Sequence, residues 1–140
     1  TYFSTIGISL LVFKLIFNQP FYTSSLPFFL FVFLNALGVD YNIYLMSRIR
    51  EEAKTKSISK ATQIAVAKTG GVITSAGIIL AGTFSALMIL PLTDLFQLGF
   101  AVAIGVIIDT FITRTLLVPA IVKLLGKYNW WPSKIIPSNK

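Results

Sequence analysis

Between Leu26 and Ser47 the chain runs LPFFLFVFLNALGVDYNIYLMS, an apolar stretch with a single charged side chain, Asp40. As a helix rising about 1.5 Å per residue it would be ~33 Å long, enough to cross a hydrocarbon core of ~30 Å. No other feature restricts the fold as tightly, because a segment crossing lipid must close its own backbone hydrogen bonds and is therefore helical. Asp40 falls roughly 21 Å along this helix from Leu26. A carboxylate at that depth is costly unless it is paired, hydrated or protonated, so Asp40, with Tyr41 beside it, is a candidate functional site.

The rest of the composition agrees with a membrane class. Of 140 residues 55% are hydrophobic and 12% charged, about half the charged share of a soluble domain, and mean hydropathy is +0.80. There is no His and no Cys, which excludes thiolate–zinc sites, disulfides and imidazole acid–base chemistry, and no cofactor or metal is expected. The net charge of +7 does not point to nucleic acid. The bases gather at the ends of apolar runs, where they set orientation in a membrane. The chain opens in mid-pattern with TYFSTIGISLLVFK and reads as a piece of something longer.

Taken in order, residues 1–17 form a first, short span, with Lys14 able to snorkel to the interface. Asn18-Gln19-Pro20 breaks it, and an uncharged connection leads to the second span, 26–47, with Pro27 in its first turn. Residues 48–68 carry six bases and two acids and form a basic connection; Ile58, Ala61, Thr62 and Ala65 give it a thin apolar stripe that suits either an interfacial helix or a solvated link. The third span, 70–90, places Gly71, Ser75 and Gly82 on roughly one face, with Gly70 and Thr74 beside it, a spacing that lets helices approach closely in lipid. Pro91 to Asp94 makes a turn in which Asp94 is solvated or caps the next helix. The fourth span, 95–118, continues its pattern past Pro119, where it kinks or leaves the bilayer. A basic tail, 119–140, follows, with Trp130-Trp131 as an interfacial anchor. The loops at 18–25 and 91–94 lack bases, so the basic connection and the tail are assigned to the cytoplasmic side. The expected fold is an all-α bundle of four transmembrane helices.

The second and fourth spans descend together, and their acids match in depth: Asp40 is 14 residues past Leu26, and Asp109 is 14 past Leu95. Thr74 and Ser75 on the third span fall in the same part of the bilayer. On the fourth, Ala101, Gly105, Asp109 and Thr113 step by four along one face that should meet protein. Thr74, Ser75, Asp109 and Thr113 thus make a candidate polar layer. Neighbours Asp40 and Tyr41 lie about 100° apart on a helix and do not face each other. Asp109 and Arg114, five apart, point about 140° away from each other on a straight α-helix. Each acid is therefore expected to find a partner on another helix, or water. Asp109 suits a polar clamp or a titrating role equally.

The segments GVDYNIYLMSRIREE, KTGGVITSAGIILAGTF, GFAVAIGVIIDTFITRTLLVPAIVKLLG and NWWPS, in this order, resemble the C-terminal half of MMPL-type transporters of the resistance–nodulation–division superfamily. The resemblance runs from about Pro27 to Ser133; residues 1–26 match in hydropathy only. It implies the last four spans of a twelve-span transporter built from two repeats, a partner in the missing N-terminal repeat, and a place in the bacterial cytoplasmic membrane with the C-terminus inside. It also implies export of lipids or other hydrophobic compounds driven by protons, with Asp40 and Tyr41 in the proton relay. Two other readings compete. A non-transporting scaffold, or sterol-sensing-like bundle, would use the acids only to lock helices. An intramembrane aspartyl protease would need two acids sharing a proton, but Ile-Gly-Val-Ile-Ile-Asp is not the Gly-x-Gly-Asp that such enzymes display. The chain is not expected to be an enzyme.

Overall fold

The computed structural model describes residues 1–18 and 24–130. These residues are helical apart from short connections, with no strand among them. The expected break at Gln19-Pro20, and Trp131, Lys134 and Lys140 of the tail, lie outside the described residues. Five α-helices follow one another: α1 (Tyr2–Leu15), α2 (Leu26–Ala53), α3 (Ile58–Ser85), α4 (Thr93–Ile108) and α5 (Val118–Leu125). A 3-10 turn, Ala86–Ile89, extends α3, and a π-helix, Asp109–Leu117, joins α4 to α5 without a break. Three continuous helical stretches are long and apolar enough to cross a membrane: Leu26–Ala53, Ile58–Ile89 and Thr93–Leu125. The fourth, α1, is apolar but shorter.

Sequence periodicity explains the packing of α2. Leu26, Leu30, Leu34, Gly38, Leu45 and Ile49 are buried, steps of four and seven that draw one stripe along the helix. Pro27 sits at its start, where a missing N–H costs nothing. The opposite face, with Phe28, Val32, Val39 and Ile43, is exposed. Apolar residues on α3 (Val72, Ile78, Ile79) and on the π-helix (Phe111, Ile112, Leu116) are exposed too, an outer surface suited to lipid or to further helices and not to water. The central helix is α4, which touches α1, α2 and α3. Its Ala101, Val102, Ala103 and Val106 form one core cluster with Leu30, Leu34 and Ala81. A second cluster, Leu45, Ile49, Ala65, Ile73 and Val122, lies nearer the α2–α3 turn, with Trp130 packed against it.

Lipid offers little hydrophobic drive for helix association, so close backbone approach matters more. A Cβ on Gly105 would sit 2.7 Å from Leu34 Cδ2, and one on Gly77 would collide with Thr110. Those two glycines, with Gly99 beneath the Phe84 carbonyl, are where the helices come together. The expected close-approach face of Gly71, Ser75 and Gly82 is not used this way. All three are exposed, and nothing lies within 4 Å of a Cβ at Gly70, Gly71 or Gly82. The contacting face of α3 is instead drawn by Ala61, Ala65, Thr69, Ile73, Gly77 and Ala81, again in steps of four.

The basic connection joins α2 to α3. It is helical on both sides of a short turn: α2 continues to Ala53, the chain turns over 54–57, and α3 starts at Ile58 and runs directly into the apolar segment. At ~42 Å, α2 and α3 each outreach a ~30 Å core, so their charged ends project from it. Glu52 organises that end. It is 7% exposed and accepts hydrogen bonds from Lys68 Nζ (2.8 Å), Lys56 Nζ and Arg48 Nη2 (3.4 Å). Backbone bonds from Thr55 and Lys56 to the Glu52 carbonyl close the turn itself. The ammonium groups of Lys56, chiefly, and Lys68 hold the Glu52 carboxyl down at about 2, against 4.5 for an ordinary glutamate. At the far end Asp94 lies exposed in the first turn of α4, where a negative charge complements the helix dipole.

Candidate functional site: a polar layer around a π-helix

Of the expected polar residues, Asp109 and Thr113 line one cleft, and the face of α4 that leads to them explains why. Ala101, Gly105 and Asp109 are buried along the predicted face, and half-buried Thr113 continues it. A cleft of about 410 Å3 between α1, α2 and the π-helix is lined by Gly38, Asn42, Asp109 and Thr113, which places Asp109 beside the turn of α2 that carries Asp40. On the other side of the π-helix, Thr74 and Thr110 border a void of about 20 Å3 next to Arg114.

The partner of Asp109 corrects the sequence reading. Asp109 and Arg114, separated by about 140° on a straight α-helix, form a buried salt bridge here. The reason is the π-helix that begins at Asp109. Its i to i+5 pattern brings the fifth residue back over the first. Thr115 Oγ1 donates to the Thr110 carbonyl at 3.2 Å in the same five-residue register. Pro119 supplies a physical cause for the wide turn. Within an α-helix it would leave the fourth carbonyl before it unbonded and clash with it, and the π segment ends just ahead of that position. A second partner does come from another helix, since Thr1 Oγ1 donates to Asp109 Oδ1 at 3.1 Å. Thr113 pairs with Thr1 at 2.8 Å, not with Asp109.

Arg114, which the sequence reading left without a role, is the hub. The residue is 4% exposed, and Nη2 donates both to Asp109 and, at 3.3 Å, to the Leu37 carbonyl. Its guanidinium carbon stands 4.4 Å from the centroid of the Tyr41 ring, a cation–π contact. The signal that could have found it is a spacing. Asp109, Arg114 and Pro119 recur every five residues in an otherwise apolar helix, and Arg114 is the single base there before Lys123.

Asp40 and Tyr41 diverge, as neighbours on a helix must. Tyr41 is half-buried against the core cluster near the α2–α3 turn, while Asp40 is exposed on the outer face of α2. Ser75, bonded to the Val72 carbonyl at 3.0 Å, faces outward on α3. The structure thus gathers Asp109, Thr113, Thr1, Arg114 and Tyr41, sets Thr74 beside them, and leaves Asp40 and Ser75 on the surface of the bundle.

These features define a multi-pass helical membrane protein with a charged layer buried between its helices. The model of the MMPL family matches residues 1–138, and the chain belongs to that family. The match takes in the first helix, which the sequence motifs alone did not reach. The chain is 47% identical to the apo-petrobactin exporter of Bacillus anthracis, over 96% of this chain and 18% of that protein. It is 44% identical to the transport protein MmpL12 of Mycobacterium tuberculosis, over 96% of this chain and 12% of that one. Identity to the acyltrehalose exporter MmpL10 of the same organism is 42%, over 94% and 13%. The chain thus spans less than a fifth of the length of these relatives. No solved structure matches it.

Proposed function

We propose that the chain is the C-terminal transmembrane part of an exporter of lipid-like or hydrophobic compounds, driven by the proton-motive force, with Asp40 and Tyr41 contributing to the proton relay. The observation that carries this reading is the position of Asp40. It is a lone acid deep in an apolar helix, exposed on the outer face of the bundle, where lipid would leave a carboxylate unsatisfied. A partner from the other repeat of a larger transporter, or a proton, satisfies it. A carboxyl that alternates between the two couples proton binding to movement of one repeat against the other.

The names of the relatives support export in general, and they print different cargoes, apo-petrobactin and acyltrehalose. The acyltrehalose name is the one that supports a lipid-like cargo. The basic turn at 54–57 and the C-terminal end are assigned to the cytoplasmic side of a bacterial cell membrane, because bases gather there and are lacking at 91–94. The test uses the whole transporter in proteoliposomes. Export of a lipid-like substrate should follow an imposed pH gradient and stop when a protonophore collapses it. Export that ignores the gradient contradicts the proposal.

A further inference from the structure

We propose that Arg114 is a positioning residue for the Asp40–Tyr41 site. It holds the Tyr41 ring and the backbone of α2 beneath that site in one orientation, and the π-helix is what lets it reach. The inference rests on the relay reading of Asp40 and Tyr41. Three contacts of the guanidinium carry it. The guanidinium lies over the Tyr41 ring at 4.4 Å, and its Nη2 also donates to the Leu37 carbonyl at 3.3 Å. Leu37 is one helical turn before Tyr41, so a single side chain grips the same turn of α2 at ring and backbone. Arg114 is held from the other side by Asp109, and the register that pairs them exists only in the π segment.

The arrangement is a poor design for a clamp alone. A buried ion pair carries a desolvation penalty that a well-packed apolar pair avoids, and often adds no stability over one. Arg114 Nε is buried and meets no protein acceptor among the described residues, so the position over the ring is held although it leaves one guanidinium donor unused. The π-helix is itself pinned: Thr110 packs where a Cβ on Gly77 would have to sit, which fixes the segment against α3. A planar cation that is itself fixed can fix a ring, and Asp40 follows Tyr41 because the two share a backbone. Asp109 therefore acts on the relay pair through Arg114, without touching substrate or the relay acid.

The experiment places a fluorinated tyrosine at position 41 of the whole transporter and reads it by fluorine NMR, alongside export kinetics. Arg114→Lys keeps a positive charge for Asp109 but removes the planar group. It should move the fluorine resonance, leave membrane abundance near normal, and lower maximal export on the order of tenfold to a hundredfold, the scale expected of a misplaced reacting group. Half-saturation by substrate should be unchanged. A resonance coincident with wild type, or wild-type export with the resonance moved, overturns the proposal. Should Arg114→Lys not accumulate, Asp109→Asn with Arg114→Gln removes both charges and is read in the same two assays against the same criteria. Asp40→Asn separates the two levels. If it exports normally the relay reading fails, while the resonance of Arg114→Lys still decides whether Arg114 positions the ring.

Discussion

At the scale of single residues, the two membrane acids have different kinds of dependence. Asp40 is exposed on the bundle, and an amide there is no harder to accommodate than the carboxyl. Asp109 neutralises a buried guanidinium, and removing it leaves Arg114 charged and uncompensated. Breaking one side of such a pair costs about 3–5 kcal/mol, whereas replacing both sides by apolar groups of similar volume is often neutral or better. Asp109→Leu and Arg114→Leu should therefore each lower the unfolding midpoint of the detergent-solubilised protein, and the double variant should recover most of the loss. Double-mutant stability measurements check this. Losses that add, with no recovery, would show that the pair is not coupled.

At the scale of elements, the ends of α2 and α3 form a charge-stapled turn whose stability depends on pH in a definite sense. The Glu52 carboxyl is held at about 2, below the ordinary 4.5. A group with a lowered folded value stabilises fully above its unfolded value and loses that contribution as pH falls through the folded one. Glu52→Gln should thus lower the thermal midpoint near neutrality, and its difference from wild type should shrink as pH falls from about 4.5 toward 2. A difference constant across that window would contradict the staple. Much of this architecture was legible in the sequence. The stripe Leu26, Leu30, Leu34 and Gly38 announces α2, and the four-residue steps from Ala101 to Thr113 announce the buried face of the fourth span. What was not legible depends on departures from 100° per residue or on contacts between distant segments. The Asp109–Arg114 pair needs a π turn, which no α-helical projection contains. The use of Gly77 and not Gly71 or Gly82 depends on which face the π-helix takes, and small residues mark several faces of α3 at once. Glu52 is one acid among many surface charges until the turn folds Lys68 back onto it.

At the scale of the whole molecule, topology can be read directly, because the sequence contains no Cys. Single Cys substitutions in intact cells, treated with an impermeant thiol reagent, should label at Thr93 and stay silent at Ser57 until the cells are opened. Labelling at Ser57 from outside would reverse the orientation drawn from the bases. The outer surface of the bundle carries both apolar rows and Asp40, and only the apolar rows are suited to lipid. The chain is less than a fifth of its relatives' length, and in those relatives the remaining protein is available to cover the matching surface. The most direct test is export by the whole transporter carrying Asp40→Asn, under an imposed pH gradient and normalised to protein in the membrane. The account predicts normal abundance and no export, because an amide keeps the shape of the carboxyl but cannot exchange a proton. Export at the wild-type rate would contradict it.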